Sequence, residues 1–148
     1  MIDTDDIRAA VTIPFISMID LVVEAVRGYQ VRRVGVMAAE GCLRAGLYQQ
    51  ALQSAGYGCS TWGEHSVQAF MQLLYRIKAG ERGGELSRQL GELSRELEQG
   101  GAELIVAGCT EIPLILRPGD VRVPLLCSTN ILVQRTIEMA RETPPEEC

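Results

Sequence analysis

Apolar positions along this chain fall into two periods, and the switches between them outline the fold. Residues 34–37 and 104–107 are short unbroken apolar runs, as buried parallel strands require. Weaker strand patterns occupy 13–16, with Pro14 near the start, 57–61 and 121–126. Between them apolar residues recur every three to four positions. Ile19, Val22, Val23 and Val26 share one helical face, with Gly28 closing that helix. Leu43, Leu47 and Leu52 mark a helix after a glycine-containing loop. Val67, Phe70, Met71, Leu74 and Ile77 mark another. Leu86, Leu90, Leu93 and Leu97 form a third stripe, with Glu85, Arg88, Glu92 and Arg95 on its solvated side and Gly100-Gly101 as its stop. A short helix is predicted over 5–10. A final one, capped by Ser128 or Thr129, carries Leu132, Val133, Thr136, Ile137 and Ala140 and ends in a polar tail. Strands alternating with helices predict an α/β fold, a Rossmann-like three-layer lobe on a parallel sheet.

The chemistry concentrates at the end of the 104–107 run. Gly108 is expected to let a ligand approach the backbone closely, and Cys109 after it places a thiol at the carboxyl end of a strand, where open α/β sheets bind ligands. Thr110 is positioned as an N-cap, with Glu111 and Pro113 in the first turn beyond it. A thiol at a helix N-terminus is expected to favour its anion. The plain alternative is a small buried hydrophobe.

Composition narrows the function. A net charge of −5 argues against a nucleic-acid partner. No apolar run approaches the ~20 residues of a membrane span, and the acidic N-terminus is no secretory signal. Five cysteines (Cys42, Cys59, Cys109, Cys127 and Cys148) with a single histidine give no metal spacing and read as reduced thiols of a cytoplasmic protein. The glycines around Cys42 are not spaced as a dinucleotide fingerprint. Nothing marks a Schiff-base lysine, so no cofactor is expected. His65, Trp62 and Tyr57 read as surface or packing residues.

The segment Gly108-Cys109-Thr110-Glu111-Ile112-Pro113-Leu114 resembles the second catalytic cysteine segment of the aspartate/glutamate racemase family. Val34 to Gly41 with Gly46 to Gln49 is similar to that family's strand-loop-helix. Tyr75-Arg76-Ile77-Lys78-Ala79-Gly80 is similar to its Ile-Lys-x-Gly segment. Val123 to Leu126 with Ser128-Thr129 is similar to its last strand and closing helix. The resemblance implies a cofactor-independent racemase acting on an acidic amino acid. A thiolate takes the α-proton on one face and a thiol returns one on the other. It casts Cys109 as an acid/base, Thr110 and nearby backbone amides as holders of the α-carboxylate, and Lys78 as the contact for the distal carboxylate. Gly41 and Cys42 fall at substrate-binding positions. By itself, Lys78 reads as a surface lysine near a helix end.

Three loop positions that carry hydroxyls in the family are Ala39, Cys42 and Ala45, and Cys127 replaces an acidic residue. Cys42 is either a substitute base or a near-isosteric stand-in for threonine. The resemblance also implies a two-lobed fold with most of one lobe missing: residues 1–30 a residual strand and helix of the first lobe, 31–126 the lobe carrying Cys109, 127–148 a closing helix and tail. A short repeat agrees. Cys109 precedes Pro124 by 15 positions, and the same offset from Pro14 falls ahead of Met1. The exposed stripes of an incomplete lobe predict a homo-oligomer. The readings to separate are thus a truncated or divergent racemase, a non-catalytic dicarboxylate-binding module, and a single-cysteine decarboxylase relative.

Overall fold

The computed structural model describes residues 4–142; Cys148 and the polar tail lie outside them. Seven helices and four strands follow in the order α1 (Thr4–Ala10), α2 (Met18–Val26), β1 (Arg33–Met37), α3 (Glu40–Ala45), α4 (Leu47–Ser54), β2 (Gly58–Ser60), α5 (Glu64–Lys78), α6 (Gly84–Gln99), β3 (Leu104–Ala107), β4 (Leu125–Cys127) and α7 (Ser128–Glu142) among the described residues. The strands form one parallel sheet in the order β2-β1-β3-β4. Val34 to Met37 pair with Leu104 to Ala107, and Ala107 pairs with Cys127. The chain leaves β1 toward β2 and leaves β3 toward β4. The loops after β1 and β3 therefore diverge, opening a crevice at the switch point of the topology.

Each face of the sheet has its own core. On one, the stripes of α5 and α6 pack with Ile105, Ala107 and the segment after Cys109, burying Phe70, Leu74, Ile77, Leu86, Leu90 and Leu97. Trp62 stacks at 4.9 Å from Phe70, and its Nε1 donates to the Leu93 carbonyl at 2.9 Å, which makes it a packing residue. On the other face, Val22, Val23 and Val26 of α2 and Tyr48 and Leu52 of α4 cover Val34, Val36, Leu104 and Val106. Ser17 caps α2, its Oγ accepting from the Asp20 amide at 3.2 Å. The α/β, three-layer expectation holds.

Four local expectations do not. Residues 11–17 form no strand: Pro14 withdraws a donor and no strand of the described sheet lies beside them. The strand expected over 121–126 is only Leu125–Cys127, because Pro124, next in register opposite Leu104, has no N–H to extend the ladder. The single helix expected through Leu43, Leu47 and Leu52 is two, broken at Gly46, which sits at φ 68° in the left-handed region. Ser128 does not cap α7 but is its first residue; its buried Oγ donates to the Ala107 carbonyl at 2.8 Å, tying α7 to the end of β3.

Candidate functional site

The Cys109 loop begins where β3 leaves the sheet. The Gly108 amide donates to the Met37 carbonyl at 2.9 Å, the last rung between β3 and β1. A Cβ at Gly108 would stand 2.9 Å from Cε2 of Tyr48 and 3.3 Å from the Met37 carbonyl. The space beside Gly108 is thus occupied by the Tyr48 ring, which corrects the expectation that this glycine clears room for a ligand.

The α-helix expected to follow Thr110 is absent. Ile112–Leu114 makes a single 3-10 turn with Glu111 at its N-cap. Ile115 and Leu116 then turn into the core, and Arg117, extended before Pro118, leaves the helical region. Among the described residues no α-helix starts behind Cys109, so the argument for a resting thiolate at a helix N-terminus fails. Burial, and after it the hydrogen bond to Glu111, push the Cys109 thiol up to about 11. The half-buried sulfur is a neutral thiol near pH 7.

Its Sγ donates to Glu111 Oε2 at 2.9 Å, and Thr110 Oγ1 donates to the same oxygen at 2.9 Å. The other carboxylate oxygen, Oε1, lies 3.6 Å from Lys78 Nζ at the end of α5. Three predicted residues, Cys109, Thr110 and Lys78, are therefore gathered on one carboxylate. The hydrogen bond from Cys109 is the main reason that Glu111 is held below the usual carboxylate range. Glu111 received no role in the sequence reading. Its only signal was its place in the segment containing Cys109.

Gly41 and Cys42 lie across the crevice, in the first turn of α3 after β1. Gly41 is exposed, and a Cβ there would meet nothing within 4 Å. Cys42 is half-buried, and burial raises its pKa. Ala39 occupies the N-cap of α3 and supplies no side-chain cap. Tyr48, 2% exposed, stands beside Gly108, and burial pushes its phenol up. Four cysteines among the described residues are free thiols: Cys42, Cys59, Cys109 and Cys127. No three His, Cys, Asp or Glu side chains among the described residues gather as a metal-holding group. His65 is exposed on α5. No described helix is long and apolar enough to cross a membrane.

A family model for Asp/Glu/hydantoin racemases matches residues 3–136. An uncharacterised protein encoded in the pnlA 3′ region of Pectobacterium carotovorum subsp. carotovorum is 31% identical over 137 residues, covering 90% of both chains. Among solved structures, an aspartate racemase homologue from Pyrococcus horikoshii OT3 superposes with a TM-score of 0.79 at 27% identity, over 93% of this chain and 61% of its own. A Yersinia pestis protein carrying the Asp/Glu racemase name gives a TM-score of 0.83 at 23% identity, over 93% and 60%. The glutamate racemase isoform RacE1 of Bacillus anthracis shares the fold at a TM-score of 0.66, over 93% and 53%. The chain spans about 60% of the length of the first two of these structures. With the family model covering most of its length, the chain belongs to the Asp/Glu/hydantoin racemase family.

Proposed function

We propose that this chain transfers a proton at the α-carbon of an aspartate- or glutamate-like amino acid without a cofactor, with Cys109 as the acid. The single observation that carries the reading is the Cys109–Glu111–Lys78 array at the mouth of the β1/β3 crevice. A thiol held protonated suits the half of a racemisation that returns a proton to the substrate carbanion; the small thiolate fraction of the same Cys109 removes the α-proton of the enantiomer that presents it, so removal and return balance on one face. Glu111 is too weak a base to draw that proton off at rest, because its own pKa is held low. In the bound state Lys78 exchanges Glu111 for the substrate's distal carboxylate. Thr110, exposed at the rim, turns its hydroxyl to the α-carboxylate, and backbone amides complete that contact.

The test is α-proton exchange in deuterated buffer, followed by NMR, with each enantiomer of aspartate and glutamate. Exchange is expected for at least one substrate, with unequal rates for its two enantiomers because Cys109 serves one face. Cys109→Ser is expected to abolish it. Equal exchange of both enantiomers that persists in Cys109→Ser would remove Cys109 from the mechanism.

A second reading rests on the same protonated sulfur. A decarboxylase needs one thiol to protonate the carbanion left by carbon dioxide, and no opposing base. Carbon dioxide release from an α-disubstituted malonate, without α-proton exchange on amino acids, would favour it. The approach of Lys78 to the carboxylate beside Cys109 supports the racemase over this alternative.

A further inference from the structure

We propose that Ser128, outside the Cys109 array and on a different element, is a positioning residue that fixes where the Cys109 sulfur stands. The inference rests on the reading of Cys109 as the acid and names what holds that acid in place. Gly108 separates Cys109 from the end of β3, and a glycine has no Cβ to restrict its dihedrals. A cysteine on such a swivel is held only as well as the peptide ahead of it.

That peptide, between Ala107 and Gly108, is gripped from three elements. Its N–H donates to the Met37 carbonyl of β1 at 2.9 Å. Its carbonyl accepts from Ser128 Oγ of α7 at 2.8 Å. The Tyr48 ring of α4 blocks the third side, standing 2.9 Å from where a Gly108 Cβ would be. Sheet pairing delivers the hydroxyl: Cys127, the register partner of Ala107, ends β4, and Ser128 follows it. Of the three grips only Ser128 acts through a side-chain hydrogen bond, so substitution removes it and leaves the sheet and the ring in place. Both Ser128 and Ala107 are buried. A buried carbonyl that loses its donor turns toward another. Turning it rotates Gly108 and carries the Cys109 sulfur off its 2.9 Å hydrogen bond to Glu111.

The test follows iodoacetamide alkylation of the full chain by peptide-resolved mass spectrometry, in wild type, Ser128→Ala and Ser128→Thr. Burial and the Glu111 hydrogen bond push the Cys109 thiol up to about 11, so a sulfur that leaves them ionises at lower pH. In Ser128→Ala, Cys109 is expected to alkylate at least threefold faster at pH 8, with its rate profile displaced to lower pH, while Cys42 and Cys59 keep their wild-type rates. Ser128→Thr retains the hydroxyl and is expected to match wild type. An unchanged Cys109 rate in Ser128→Ala overturns the proposal. So does equal acceleration of Cys109, Cys42 and Cys59, which is what general loosening produces, and so does an acceleration in Ser128→Thr as large as that in Ser128→Ala. In the same preparations, α-proton exchange by Ser128→Ala is expected to lose at least tenfold in kcat with KM changed less than threefold, because Lys78 and Thr110 still hold the substrate. A kcat equal to that of wild type also overturns the proposal. If wild type itself exchanges no substrate, the proposed function fails, and the alkylation rates still decide the role of Ser128.

Discussion

Glu111 and Lys78 act on the Cys109 sulfur with opposite sign. The carboxylate accepts the thiol proton and repels a thiolate, raising the pKa, whereas the lysine charge lowers it; burial exceeds both. Substituting each partner therefore separates their effects. Glu111→Gln is expected to bring the thiol down from about 11, so that its iodoacetamide alkylation at pH 8 accelerates, about tenfold per pKa unit recovered. Lys78→Met is expected to slow it. Peptide-resolved mass spectrometry distinguishes Cys109 from Cys42 and Cys59, whose thiols are raised by burial and serve as internal references. Rates that move the same way in both variants would show that the 3.6 Å pairing does not govern the sulfur. At this scale the sequence located the thiol and two of its neighbours. It misjudged the charge state, because that depends on burial and on a 3-10 turn in place of a helix, neither of which a local pattern displays. The same holds for Gly108. Its neighbour Tyr48 is 60 positions away, and only the folded chain shows that the ring fills the space beside it.

Elements were legible where the periodicity was long and the partner lay in the same chain. The α5 and α6 stripes fall in the core as read, since amphipathic helices need only a flat apolar sheet to cover them. Strand limits were less legible, because a ladder is only as long as the shorter of two strands. The break between α3 and α4 was missed although Gly46 was in plain view, because a glycine within a helical pattern is as readily tolerated as structural. Two glycine substitutions in this region predict opposite outcomes. Gly46→Ala places a Cβ in the left-handed region and is expected to cost about 1–2 kcal/mol. At roughly 2–4 °C of melting temperature per kcal/mol for a chain of this size, calorimetry resolves it readily. Gly41→Ala, in the first turn of α3 with open space around its Cβ position, is expected to be neutral or stabilising by up to about 1 kcal/mol. Equal losses in both variants would mean that α3 and α4 do not depend on the left-handed junction.

The two faces of the sheet are not equally closed. The α5/α6 face seals its stripes inside the core, whereas α7 is spread over α2 with only part of its apolar surface inward. Ile131 packs against the core of that face, yet Val133 is 52% and Ile137 47% exposed, one turn apart on the same side of the helix. Arg135 and Glu138 pair beside them, giving the stripe a polar border. An apolar pair framed by charges on a helix that already packs against another is the pattern of a helix–helix contact between copies. We therefore expect the chain to self-associate through α7, with the Val133–Ile137 stripe meeting its own copy across a two-fold axis. Sedimentation equilibrium at micromolar concentration should show a species heavier than the monomer. Its association should change little with added salt, since burial of apolar area rather than ion pairing drives it. Val133→Glu combined with Ile137→Lys should yield a monomer with unchanged circular dichroism, because both side chains are half exposed and contribute little to the internal core. A wild-type chain that sediments as a monomer throughout that range would leave the α7 stripe a solvated surface, and the homo-oligomer would have to be abandoned.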